Sequence, residues 1–259
     1  MANKTIMIVA AIAAVVVISS SAFVLMNNSN GNEYENLKMI SLSVYGNANE
    51  DYTIDQKDVD LINEMISNGT DLSEHPYADA NRDGSVTSED VEIVNKIIKG
   101  ETTTISLVDQ YVYTAGIDHV ATIIYPLRNV IAINPDMIQL TFFFDGDKYV
   151  AGYIANSEAY PVTFHKILTN GVSKSMGSTP RQMAAGEWQA VKNLDAELYT
   201  KGESIGAILA YNDGAFTDYK DDVISAGIPI IYLRTRTPTS SRFSISFTTV
   251  SRLLATSKQ

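Results

Sequence analysis

Apolar residues along this chain follow three different patterns. The first is an unbroken run. Residues 6–26 carry no charge, Lys4 precedes them, and their polar content is the cluster Ser19, Ser20 and Ser21, with Thr5 at the edge. About 20 apolar residues in a row can cross a bilayer, so residues 1–26 read as a membrane-targeting segment. Ser20, Ser21 and Ala22 supply the small residues of a cleavage site. A cleaved signal peptide and a retained transmembrane anchor therefore both fit, and either one exports the rest. Residues 27–43 begin Asn-rich and read as a linker.

The second pattern is helical. Val59, Ile62, Met65 and Ile66 recur at the period of one helix face, and so do Val91, Val94, Ile97 and Ile98. Gly69 and Gly100 follow these sets and can end the helices. The third pattern starts at Thr102, where short β-rich runs alternate with helical stretches. Strands are expected at 104–108, 130–133, 148–153, 204–211 and 228–233, and helices at 136–144, 187–198 and 218–226. In the second of these helices Trp188, Val191 and Leu194 should face inward. Such alternation predicts a parallel α/β sheet, with ligands at the carboxyl ends of its strands.

Candidate chemistry lies just ahead of the two early helices. Asp79, Asn81, Asp83, Thr87 and Asp90 place oxygen-bearing side chains at positions 1, 3, 5, 9 and 12 of a twelve-residue loop. Gly84 takes the sharp turn at position 6, and Ser85 offers its carbonyl at position 7. Hard oxygen ligands at this spacing suit Ca²⁺. An offset of 32 residues brings Asn47, Asn49, Asp51, Thr53, Asp55 and Asp58 onto the same positions, with Ile54 matching Val86 at position 8. Ligand phase and apolar phase agree together, which marks an internal duplication. The first loop should bind calcium more weakly, because Asn47 brings no charge and Tyr52 replaces the turn glycine.

Two loop-helix units with Asp at position 12 resemble dockerin type I modules, over residues 44–101. The resemblance implies a small all-α module that holds calcium and pairs with a cohesin-like partner. In that family the partner is read at loop positions 10 and 11, often by Ser-Thr. Here those positions hold Gln56 and Lys57, then Ser88 and Glu89.

Residues 102–233 resemble the first lobe of the iron-complex and cobalamin substrate-binding proteins of ABC importers. The resemblance rests on 130–135 (VIAINP), 145–153 (DGDKYVAGY), the turn at Met176, Gly177 and Ser178, and 190–197 (AVKNLDAE). Dockerin-like repeats ahead of such a lobe also look like an archaeal arrangement. The resemblance implies a Rossmann-like parallel-sheet lobe of the periplasmic-binding-protein fold. It also implies an iron-chelate or corrinoid ligand and an ABC permease partner. Tyr153, Gly177, Ser178, Tyr211 and Asn212 fall at predicted strand ends and are the cleft candidates. Gln189 aligns with the family's permease-docking glutamate, and Glu187 lies two residues before it. The family has two lobes. Residues 234–259 hold five basic residues, no acidic ones and many Ser and Thr, and they read as a truncated or frame-shifted end rather than a second lobe.

Composition narrows the functions further. The net charge of −11 argues against binding nucleic acid. With no cysteine there are neither disulfides nor thiolate metal sites. His75, His119 and His165 lack metal-ligand spacing, and no nucleophile elbow or phosphate-binding glycine loop occurs. The chain reads as non-catalytic: an exported importer component carrying a calcium-binding module. The alternatives are a calcium-dependent surface assembly protein or a non-functional remnant.

Overall fold

The two early helices form where the apolar period places them, in a computed structural model that describes residues 43–51, 53–109, 120–143, 146–154, 173–177, 183–210 and 218–233. All of these belong to the compact unit Ile40–Gln259. Helix α1 spans Gln56–Asn68 and α2 spans Ser88–Lys99. Asp55 and Thr87 cap their first turns, and Asp58 and Asp90 complete a capping box in each. Gly69 and Gly100 end them at φ 67° and 69°, the left-handed region that a Cβ disfavours. Val59, Ile62, Met65 and Val94 pack into one small core with Ala48, Ala78 and Ala80. Ile66 and Ile98 were expected on the same face, but each sits at its edge and stays 42% exposed.

Strand β1, Thr103–Val108, pairs antiparallel with β2, Val120–Tyr125, in a two-stranded sheet of its own. The sequence pattern places 104–108 at the head of the parallel alternation and does not single out β2. The reason is physical. Ala121, Ile123 and Tyr125 point inward and Thr122 outward, but Ile124 is apolar and 57% exposed, which blurs the period of two.

The remaining strands form the expected parallel sheet: β3 Val130–Ile133, β4 Val150–Ile154, β5 Lys174–Gly177, β6 Ala207–Ala210 and β7 Ile230–Tyr232. Their order is β5-β4-β3-β6-β7. Helices α3 Pro135–Phe143, α4 Ala185–Tyr199 and α5 Lys220–Ser225 connect them. The fold is thus α/β, with a small helical module ahead of one doubly wound sheet. Alternate residues of β3 serve two cores. Ile131 and Ile133 meet Trp188, Val191 and Leu194 of α4. Val130 and Ala132 share the other core with Met137 and Ile138 of α3 and with Ile105, Leu107 and Ile123 of the hairpin.

Val44 and Ile97 also enter that second core, so the helical module and the sheet are packed together. Asp109, just past β1, accepts the backbone N–H of Tyr232 in β7 at 2.8 Å. The residue before β6 is equally constrained. Gly206 donates to the Asn129 carbonyl at 3.2 Å, and a Cβ there would overlap the Arg128 carbonyl oxygen. Because that neighbour is backbone, it cannot rotate away. Gly206→Ala is therefore expected to cost about 1–3 kcal/mol by overpacking, measurable as a lower urea midpoint with an unchanged slope.

Among the described residues no helix is long and apolar enough to cross a membrane. Residues 6–26 lie outside them.

Candidate metal centre

The two loops repeat one network of hydrogen bonds. In the second loop Asp90, fully buried, accepts the N–H of Asn81 on Oδ1 at 3.1 Å and that of Thr87 on Oδ2 at 2.7 Å. In the first, Asp58, also fully buried, accepts those of Asn49 at 3.2 Å and Asp55 at 2.8 Å. Asn81 Oδ1 takes the N–H of Asp83 at 2.9 Å, as Asn49 Oδ1 takes that of Asp51 at 2.9 Å. Asp83 Oδ1 takes the N–H of Ser85 at 2.9 Å, as Asp51 Oδ1 takes that of Thr53 at 2.6 Å. Even the backbone agrees: at loop position 4, Glu50 and Arg82 hold φ of 56° and 62°. The same residue types at the same offsets fold into the same turn twice.

The loops differ at position 1. Asp79, 5% exposed, accepts the N–H groups of Asp83 and Gly84 at 3.1 and 2.9 Å. Gly84 adopts φ 93°, as the turn at position 6 requires. Asn47 instead donates its side-chain N–H to the Asp51 carbonyl at 2.8 Å. Tyr52 lies outside the described residues.

The donor set is one that a hard cation accepts. Each loop offers carboxylate, amide and backbone carbonyl oxygens, with no nitrogen or sulfur ligand. Among the described residues no three Asp, Glu, His or Cys side chains converge into a metal cage by themselves. A twelve-residue oxygen-ligand loop does not need one, since amide and backbone carbonyl oxygens, here those of Asn81 and Ser85, would supply part of the shell. Burial pushes the Asp58 carboxyl above its ordinary range; the N–H groups of Asp55 and Asn49 pull it back, and the charges of Asp51 and Asp55 push it up again. A divalent cation at this point would offset both the burial and the repulsion.

The residues read as partner contacts stand at the surface. Gln56, Lys57, Ser88 and Glu89 are exposed in the first turns of α1 and α2. Lys57 and Glu89 occupy equivalent positions with opposite charge, so the two faces are not interchangeable.

Of the cleft candidates of the sheet, Tyr153 and Gly177 lie among the described residues. Tyr153 is 3% exposed, with its side chain in the core shared by α3 and the hairpin. Gly177 ends β5 against Glu187, and a Cβ there would overlap the Glu187 side chain. Ser178, Tyr211 and Asn212 lie outside the described residues. Glu187 is buried and accepts the N–H of Ala184 at 2.5 Å, so it caps α4, whereas Gln189 is exposed. Asn134, at the carboxyl end of β3, was not singled out by the sequence. It takes φ 82°, and its Oδ1 caps α3 by accepting the N–H of Met137 at 3.1 Å. A cavity of about 740 Å³ lies at the opposite, amino ends of β3, β6 and β7, bordered by Thr104, Thr122, Arg128, Glu203 and Ser204.

One comparison with known proteins falls on the stretch that holds the two loops. The family model described as Dockerin type I domain matches residues 45–99. No curated protein and no solved structure matches the chain. The match spans both loops and both helices and does not extend into the α/β lobe.

Proposed function

We propose that this chain is an exported, non-catalytic protein that works in calcium-dependent assembly at the cell surface, through the dockerin-type module at residues 45–99. The observation that carries this reading is the twin loop geometry, with Asp90 and Asp58 each bridging the loop and the helix it opens. Asp79, Asn81, Asp83, Thr87, Asp90 and the Ser85 carbonyl would hold one calcium ion. Asn47, Asn49, Asp51, Asp55, Asp58 and the Thr53 carbonyl would hold a second, more weakly. The partner would be a cohesin-like module reading the exposed helix starts at Gln56 and Lys57 or at Ser88 and Glu89. Capture of the full chain by an immobilised cohesin module tests this. Capture in calcium that is lost on chelation is the expected result. No capture by a calcium-loaded chain would remove the assembly partner.

A second reading gives residues 102–233 a ligand, as the binding lobe of an importer for iron complexes or corrinoids. It draws support from the strand order, which reverses between the neighbours β3 and β6. Open parallel sheets bind ligands beyond the carboxyl ends at such a switch point, and Tyr211 and Asn212 follow β6 directly. An ABC permease would then be the partner. Equilibrium dialysis of the full chain against cobalamin and a ferric siderophore distinguishes the readings: uptake supports the importer, and its absence leaves assembly alone.

A further inference from the structure

The second calcium loop touches the segment that borders the hairpin sheet, and it does so through residues that are not ligands. Residues 43–45 run antiparallel beside β1. Tyr45 donates its N–H to Ser106 at 2.9 Å, Val108 donates to Ser43 at 2.8 Å, and Val44 bridges Leu107. The ring of Tyr45 is held from two sides. Tyr77 meets it edge-on at 5.2 Å, and the Arg82 guanidinium lies 4.9 Å from its centre. Gly46 adds a backbone bond to the Tyr77 carbonyl at 2.7 Å. Tyr77 sits two residues ahead of Asp79, and Arg82 sits between Asn81 and Asp83. The loop therefore reaches Tyr45 from its flank and from its tip.

Arg82 is also strained. Its φ of 62° is one that a residue with a Cβ seldom adopts. The turn closed by the Asn81 side chain on the Asp83 N–H spans it, and the side chains of Asn81 and Asp83 are both proposed ligands. When those oxygens are gathered on a cation, Arg82 has no route out of this conformation and its guanidinium stays over the ring. When they are released, the strain can relax and the cation–π contact opens.

We infer that Arg82 is a positioning residue that couples occupancy of the second calcium loop to the Tyr45–β1 edge, and through it to the α/β lobe. This rests on the calcium reading above. The route continues through Leu107, which shares a core with Val130 and Leu209, and through Asp109, which is bonded to β7. In this protein the calcium loops act as a clamp on the neighbouring lobe as well as a fold of their own.

Hydrogen exchange on the full chain, with calcium uptake measured in parallel by titration, tests the coupling. The reporting amides are those of Tyr45 and Val108. If their opening requires release of the ion, calcium at 100 times its Kd slows their exchange by about 100-fold. In Arg82→Ala the uptake should persist while this slowing is lost, and Arg82→Lys should retain most of it because a cation remains over the ring. The Ala variant keeps the same Cβ, so it does not add backbone strain. Calcium uptake without slowed exchange at these amides overturns the coupling and leaves the calcium reading standing. Full protection in Arg82→Ala, or equal loss in Ala and Lys, overturns the role of Arg82. No uptake at all overturns both readings.

Discussion

Replacing Asp79 and Asp83 together with alanine is expected to abolish calcium binding at the second loop and to remove most of the thermal stabilisation that calcium gives. The reason lies in linkage. A ligand that binds only the folded state stabilises it by about 2.7 kcal/mol when present at 100 times its Kd. That term vanishes when the two charged ligands at positions 1 and 5 are gone. Asp79 also accepts two backbone N–H groups and Asp83 one, so the loop loses its own turns as well. The comparison to make is the shift in Tm between chelator and saturating calcium, in the native sequence and in the double variant. The native chain should shift and the variant should shift far less, with only the weaker first loop left to respond. An undiminished shift in the variant would sink the ligand assignment.

Leu107→Ala is expected to destabilise the helical module and the lobe together, by about 2–5 kcal/mol, the usual cost of emptying a fully buried leucine site. Leu107 is 1% exposed and packs with Val44 from the start of the module, with Ile123 of the hairpin and with the sheet. The incoming segment 43–45 pairs directly with β1 of this hairpin. Trp188 is the one tryptophan of the chain and is buried in the core under α4, so its fluorescence reports the lobe. Far-ultraviolet circular dichroism follows the helices of both parts alongside. Both probes should move to lower urea by a similar amount. A tryptophan transition that shifts away from the circular dichroism transition, so that the two no longer coincide, would show that the two parts are energetically separate.

The fold of the two loops was almost wholly readable in the sequence because its information is local. Each proposed ligand lies within twelve residues of the others in its loop, and Gly84, Gly69 and Gly100 mark the turns that need positive φ. The parallel strands were readable for a similar reason: fully buried strands such as 130–133 and 207–210 are continuous apolar runs. What escaped depends on contacts between distant segments. Strand β2 was hidden by Ile124, an apolar residue on the exposed face. Tyr153 stands at a strand end in the sequence, but the register of β4 against β3 turns it into the core. Glu187 lies near the position of a docking glutamate in the resembled family, yet its place in the first turn of α4 bends it back onto the Ala184 N–H. The Arg82–Tyr45 contact joins residues 37 apart and has no signature in either neighbourhood.

The most direct test of the calcium-organised module is a count of bound ions by native mass spectrometry of the full chain across a calcium titration. The account predicts at least one calcium ion, taken up first by the second loop, and a weaker second ion for the first loop. It also predicts that Asp79→Ala with Asp83→Ala deletes the tighter of the two. A chain that takes up no calcium, or a double variant with the native count and order of filling, would contradict it.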